Sequence, residues 1–241
     1  MDSAHLTELM ELEDNYWWHV AKRRMVSDLL KKHFPPPGCL IEGGVGAGRN
    51  LLEFQELGYS VRGYDIMPQA VEHCRERGLE EVQVHDLGQP WPVEPDSVHA
   101  VVMLDVLEHL ADPVCVLNHA RETLTEKGGL VFTVPAHPAL FGDWDRRLGH
   151  YRRYTRKLLR EHAQRAGLNV TYLSHWNSLS LPAAYAIRGY QKLFPKERAA
   201  EFPRVSPLVN RMMLKACAAE RWVDQSIRVP FGLSLVGILQ K

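Results

Sequence analysis

From residue 39 onward the hydrophobic positions fall into short runs separated by amphipathic stretches. Cys39–Gly43, Val61–Tyr64, Val82–His85, Val98–Leu104, Leu130–Val134 and Leu168–Trp176 read as buried strands, Val98–Leu104 being the most apolar of them. The segments between them read as helices. Asn50–Leu57 ends at Gly58, and Pro68 opens a helix that Gly78 closes. Asp112 can cap Pro113–Leu124, and Gly128-Gly129 turns the chain into the fifth strand. Thr155 can cap a helix that ends at Gly167. Strands alternating with helices at this spacing predict βαβ units, a parallel sheet with helices on both faces, and right-handed crossovers.

Ahead of this alternation, residues 1–34 carry helical periodicity through Leu6, Leu9, Met10 and Leu12, then Val20, Met25, Val26, Leu29 and Leu30. Pro35-Pro36-Pro37-Gly38 stops them. Behind Trp176, residues 177–230 interrupt the pattern before a last buried strand at Leu233–Leu239. The expected organisation is one domain. It has an N-terminal helical cap (1–36), a core (37–176) with a long loop at 135–155, a helical insertion (177–230) and a final strand (231–241).

Composition narrows the class. The 241 residues are 45% hydrophobic, enough for one substantial core. Lys and Arg total 29 and Asp and Glu total 29, so no whole-chain charge argues for a nucleic-acid partner. Cys39, Cys74, Cys115 and Cys217 are scattered without a CxxC pair, which predicts neither a disulfide framework nor a metal site. The polar, acidic first twenty residues predict no secretory leader, and no apolar run approaches the roughly 20 residues of a membrane span. A cytoplasmic protein, monomeric or homodimeric, is expected.

The sharpest chemical signal is Glu42-Gly43-Gly44-Val45-Gly46-Ala47-Gly48, between the first strand and the first core helix. Glycines here allow a tight turn and close ligand approach, and the following helix offers free N–H groups. The spacing is not the GxGxxG of dinucleotide folds, because Arg49 occupies the last required position, and there is no GK[ST] of a phosphate loop. A loop without phosphates to cradle suits a methionine-type ligand, with Glu42 as the acid for its cation. Three further acids follow strand ends. Asp65 is placed to accept ribose hydroxyls. Asp86 is placed for the adenine amine, with Ile66, Met67 and Leu87 against the ring. Asp105 opens Leu104-Asp105-Val106-Leu107-Glu108-His109-Leu110. Ligands of open α/β sheets sit at these carboxyl ends.

In this combination, across roughly residues 39–135, the chain resembles the class I S-adenosylmethionine-dependent methyltransferases of the ubiquinone- and menaquinone-methyltransferase-like group. The resemblance implies a Rossmann-like seven-stranded sheet in the order 3-2-1-4-5-7-6 with the last strand antiparallel. It implies S-adenosylmethionine as cofactor, with Gly44, Gly46 and Gly48 at the methionine end, Asp65 on ribose and Asp86 on adenine. Val45 stands where many relatives carry Cys, a departure expected to be neutral. The phrase GDWDRRLGHYRRYT, with NYWWHVAKRR and PFGLSLVGILQK, looks like a bacterial subgroup whose members often sit among polysaccharide-building enzymes.

The acceptor side is less determined. The loop 135–155 is expected to lie over the acceptor as a lid. Asp143, Arg146, His150, Tyr151, Arg152 and Arg153 are its candidate contacts, through Arg forks onto an anionic or sugar-like group. The alternative is that Asp143 and Asp145 merely pair with Arg146 and Arg147. Trp17 and Trp18 cannot share one helix face, so one can cover the cofactor site, or both can be packing anchors. His150, His109 and His137 are candidate bases for a hydroxyl acceptor. The insertion carries Leu179, Leu181, Ile187, Tyr190, Phe194, Met212 and Trp222, flanked by Arg188, Lys192 and Lys196. This suits core or dimer packing or, alternatively, weak contact with a membrane surface or a lipid-linked acceptor. A methyl transfer by in-line displacement onto a small-molecule acceptor is the expected reaction. A nicotinamide-dependent oxidoreductase and a non-catalytic S-adenosylmethionine binder are the alternatives.

Overall fold

The computed structural model describes residues 3–193 and 203–241. Phe194 and Lys196 lie outside the described residues, as does the side chain of Lys192. Seven strands form one sheet, β1 (Cys39–Gly43), β2 (Ser60–Asp65), β3 (Val82–Val84), β4 (Val98–Leu104), β5 (Leu124–Pro135), β6 (Asn169–Trp176) and β7 (Ser234–Gln240). Their order is β3-β2-β1-β4-β5-β7-β6, as the resemblance implies. The pairs from β3 to β5 are parallel, and β7 runs antiparallel to both neighbours, from Gly129↔Gln240 to Pro135↔Ser234 on one side.

The apolar strand runs follow from burial on both faces, since successive side chains alternate across the sheet. Leu40, Ala100, Val102 and Val131 pack with Val26 and Leu30 of α2 (Trp17–His33), Leu51 and Phe54 of α3 (Arg49–Glu56), and Val71 of α4 (Pro68–Glu76). Ile41, Val101, Met103, Leu130 and Phe132 point the other way. They pack with Leu117 and Ala120 of α5 (Pro113–Thr123) and with Leu159 and Ala163 of α7 (Arg156–Arg165). Asp112 caps α5 by accepting from Val114 N and Cys115 N, and Thr155 caps α7 by accepting from Leu158 N.

Three features depart from the sequence reading. The N-terminal helix is broken into α1 (Ser3–Leu12) and α2. Glu13, in the break, turns inward to pair with Arg77 and accept from Arg49 N at 3.3 Å. Strand β5 starts at Leu124 rather than Leu130, with an irregular register opposite Val98–Ala100. The loop after β5 is partly helical, with a 3₁₀ turn at Pro138–Leu140 and α6 (Asp143–Arg147), and it returns to the sheet by a parallel bridge between Ala136 and Tyr154.

The insertion supplies α8 (Leu181–Leu193) and α9 (Pro207–Asp224). Helix α9 docks on the break in the cap. Asn210 Oδ1 accepts from Trp17 N at 2.8 Å, and Asn210 Nδ2 donates to Asn15 O at 2.9 Å. Among the described residues no helix is long and apolar enough to cross a membrane.

Candidate active site

A cavity of about 1220 Å³ opens at the carboxyl ends of β1, β2 and β4. It runs from the glycine loop, under α2, to the loop after β5 and to α8. That exceeds the roughly 300–1,000 Å³ of an ordinary small-molecule pocket and suits a cofactor with a second ligand beside it.

At one end stand Gly44, Gly46, Asp65, Ile66, Met67, Asp86 and Leu87. Gly46 has φ +54°, so its backbone favours glycine, and a Cβ there would lie 2.8 Å from Leu9 Cδ2 of α1, the end of a side chain that would have to shift. Gly48, at φ +85°, serves packing: its Cβ would meet Cys74 Sγ at 2.7 Å, and it does not border the cavity. Asp65 is buried and already anchors the loop, accepting from Gly46 N at 3.1 Å and Met67 N at 2.9 Å. Burial raises its carboxyl above the ordinary value despite those bonds. Ile66 exposes 68% of its surface into this end of the cavity, a flat apolar face with no protein partner covering it. Asp86 accepts from Gly88 N at 2.9 Å, which sets its carboxylate at the cavity edge beside Leu87.

Glu42 lies one layer deeper and does not itself line the cavity. Its Oε1 accepts from Asn50 Nδ2 at 2.9 Å, and Asn50 does line it. Oε2 is buried without a partner. Burial pushes the Glu42 carboxyl up to about 8.

The middle of the cavity is held by Asp105, whose backbone has φ +55°. It accepts from Lys22 Nζ at 2.6 Å and from Thr133 Oγ1 at 3.0 Å. Burial alone would raise this carboxyl, but Lys22, Thr133 and His150 together outweigh it and hold it below its ordinary value. Lys22 and Asn50 were not singled out in the sequence.

The far end gathers the loop after β5 around Asp145, which is fully buried. Asp145 Oδ1 accepts from Arg153 Nε at 2.7 Å and from His150 Nδ1 at 3.1 Å, Oδ2 accepts from Gly142 N at 2.9 Å, and Arg188 of α8 approaches Oδ2 at 3.4 Å. Desolvation opposes its charge, yet His150 and Arg153 keep it ionised below the ordinary value. His150 meets His109 edge-on, ring centroids 4.5 Å apart, and both line the cavity. Beneath them Glu108 is completely buried with both carboxylate oxygens unpartnered, and its carboxyl is pushed well above the ordinary range by that burial and by Asp105.

Not every candidate arrives here. His137 turns away, its Nε2 donating to Gly232 O at 3.0 Å and its ring stacked on His175, and it does not line the cavity. Arg152 reaches outward to Ala111 O at 3.1 Å, and Arg146 pairs on the surface with Asp143 at 2.8 Å. Neither Arg lines the cavity, while Asp143 and Tyr151 stand at its rim and Arg153 within it. For Asp143 and Arg146 the surface-pair alternative describes what is seen. Trp17 and Trp18 both line the cavity and meet edge-on at 5.6 Å, and Trp18 also packs on Trp176 at 4.7 Å.

The glycine loop, the exposed Ile66 face and the acids Asp65 and Asp86 share one end of the cavity and fit a ligand carrying an adenosine. A family described as a methyltransferase domain matches residues 16–173, more than half of the chain. A ubiquinone biosynthesis O-methyltransferase of Xanthomonas campestris pv. campestris is 27% identical over 155 residues, covering 57% of this chain. The match spans 64% of that relative, less than two thirds of its length. An S-adenosylmethionine-dependent methyltransferase from Archaeoglobus fulgidus superposes with TM-score 0.62 at 16% identity over 100% of both chains. A Haemonchus contortus phosphoethanolamine N-methyltransferase in complex with S-adenosylmethionine superposes with TM-score 0.59 at 15% identity, over 90% of this chain and 52% of that one. The chain belongs to the methyltransferase-domain family.

Proposed function

We propose that this enzyme methylates a hydroxyl of an amphipathic small molecule, one with a polar, sugar-like head and a lipid-like tail. The observation that carries this reading is the two-sided character of the cavity beyond the cofactor end. One part of the lining is polar and half-buried, built from His109, His150, Arg153 and Arg188. Another part of the lining is apolar and includes Ala183, Ala184 and Ile187 of α8 and Val209 and Met213 of α9.

S-adenosylmethionine supplies a methyl on a sulfonium centre that is ready for in-line displacement. The work of the chain is to position, to desolvate and to manage a proton. Asp65, with Gly46 N bound to it, is placed to receive the ribose hydroxyls, and Asp86 and Ile66 to receive adenine. Asn50, held by Glu42 Oε1, lines the cavity beside the glycine loop for the amino-acid end of the cofactor. Leu9 of α1 and Trp17 and Trp18 of α2 close the cavity over the glycine loop and Asp105, which excludes water. At the other end, Asp145 holds His150 by its Nδ1. This cluster is where the acceptor's hydroxyl proton is received.

The tail side is supported by charge. Residues 177–193 and 203–219 contain no Asp or Glu but carry Arg188, Lys192, Arg204, Arg211 and Lys215. Ile187, Leu208 and Met212 among them are more than half exposed. Basic residues beside exposed apolar ones suit an acceptor presented at an anionic lipid surface. The test pairs alcohol acceptors with the same head, with and without an alkyl tail, and follows S-adenosylhomocysteine release. The tailed acceptor should have the lower KM, and Ile187→Asp should raise that KM while leaving the tailless one unchanged. Equal KM values for both acceptors would overturn the amphipathic reading.

A further inference from the structure

Asp145 collects more positive charge than it can balance. It is fully buried and accepts from Arg153 Nε at 2.7 Å, Gly142 N at 2.9 Å and His150 Nδ1 at 3.1 Å. Arg188 Nη2 reaches it only at 3.4 Å, behind those nearer donors. Both arginine side chains line the cavity and are mostly buried, 11% exposed for Arg153 and 18% for Arg188. Guanidinium groups do not lose their proton in proteins, so two full charges share one carboxylate. Among the described residues lining this end of the cavity, no other ionised acid makes up the difference. Asp143 at the rim pairs with Arg146, and Asp105 pairs with Lys22. Glu108 is kept uncharged by complete burial and by Asp105. A mostly buried charge without a counter-ion is costly.

The donors left over, and the surroundings of Arg188, define the ion that fits. Arg153 uses Nε on Asp145 and Nη1 on Ala136 O at 3.2 Å. Arg188 uses Nη2 on Asp145 and Nη1 on Gln191 Oε1 at 2.9 Å. Nη2 of Arg153 and Nε of Arg188 have no acceptor among the described residues. Guanidinium N–H groups suit carboxylate and phosphate oxygens, often two at a time. On α8, Ala184 lies one helical turn before Arg188 and Ile187 is its neighbour, and both line the same cavity. An ion held by Arg188 therefore has apolar helix surface directly beside it.

We propose that Arg153 and Arg188 form a binding site for an oxyanion, a phosphate ester or a carboxylate carried by the acceptor where its polar head joins its apolar tail. This rests on the proposed amphipathic acceptor and deepens it by giving that acceptor a negative charge. Arg188 is the adjustable member, since its contact is the longest that Asp145 accepts. The anion draws on Arg188 while Arg153 stays on Asp145. Pinning the anion stops the head group from rotating and holds its hydroxyl in one place relative to the methyl donor. A neutral analogue leaves the second guanidinium unmatched, so the site discriminates by charge.

The test uses the full chain saturated with S-adenosylhomocysteine. Inorganic phosphate, octyl phosphate, nonanoate and octyl glucoside are titrated in by calorimetry, the amphiphiles below their micellar concentrations. Octyl phosphate or nonanoate should bind at one equivalent per chain, about tenfold or more tightly than neutral octyl glucoside, and the tighter anion identifies the group. Arg188→Gln should weaken that anion about tenfold or more and leave octyl glucoside unchanged. Arg188→Lys keeps the charge but loses the fork, and should recover part of the loss. If Arg188→Gln fails to melt cooperatively, Arg188→Lys carries the test and must bind the anion more weakly than the wild type. Equal affinity for the anions and octyl glucoside, or anion binding that neither variant changes, would overturn the oxyanion site and leave the amphipathic reading standing. Inorganic phosphate that binds as tightly as octyl phosphate, with the same dependence on Arg188, would uphold the oxyanion site and refute the tail. If none of these compounds binds, both readings fail.

Discussion

Replacing Glu42 by Gln should flatten the dependence of stability on pH. The Glu42 carboxyl is fully buried, half satisfied by Asn50, and raised from an ordinary 4.5 to about 8 by desolvation. The folded protein therefore keeps a proton that the unfolded chain releases. That contribution to stability is complete below about pH 4.5 and is lost as pH rises through about 8. Proton linkage at about 1.4 kcal/mol per pH decade puts the loss between pH 5 and pH 8 at about 3 kcal/mol. Gln keeps the volume and the bond to Asn50 but cannot ionise. Urea unfolding of both proteins at pH 5 and pH 8, without ligand, gives four stabilities. The wild type should fall by about 3 kcal/mol more than Glu42→Gln over this interval, the remaining buried acids being common to both. Parallel profiles would show that Glu42 is ionised at neutral pH in the free protein, and the account of its environment would be wrong.

Asp65→Ala should weaken S-adenosylhomocysteine binding by about 1.5–3 kcal/mol, read by calorimetry, because it removes a charged acceptor. Gly46→Val should abolish that binding and keep a cooperative melt, since the strain is confined to a loop with φ +54°. Asp145→Ala should cost on the order of 3 kcal/mol in chemical unfolding, because Arg153 and Arg188 are left without their carboxylate. His150→Ala should cut turnover at least 10²-fold with cofactor affinity kept, while Arg152→Ala, whose side chain bonds Ala111 O outside the cavity, should match the wild type in steady-state kinetics.

The parts of this molecule that were legible in the sequence are the parts decided locally. Each core strand is buried on both faces, so its apolar run announces it, and Gly58, Gly78, Asp112 and Thr155 punctuate the helices between. The strand-end acids at Asp65, Asp86 and Asp105 could be read because an open α/β sheet brings carboxyl ends together whatever the rest of the chain does. The illegible parts depend on long-range partners. Lys22 meets Asp105 from a helix 83 residues earlier in the chain. The break at Glu13 exists because Arg77 and Arg49 N await it across the glycine loop. Arg152 and Arg153 look equivalent in sequence, but they lie in an extended segment whose side chains alternate, so one points out and the other reaches Asp145. Glu108 sits in the Leu104–Leu110 phrase but was given no role. Its only local signal is a carboxylate between Leu107 and Leu110, and nothing nearby says that no basic group will come to meet it.

The central claim is that the glycine-loop end of the cavity is built for an adenosyl sulfonium cofactor. Calorimetric titration of S-adenosylhomocysteine into the wild-type protein, with NAD titrated in parallel, tests it most directly. The account predicts one S-adenosylhomocysteine per chain and no heat of binding from NAD. Saturable NAD binding, or no S-adenosylhomocysteine binding by a folded protein, would contradict it.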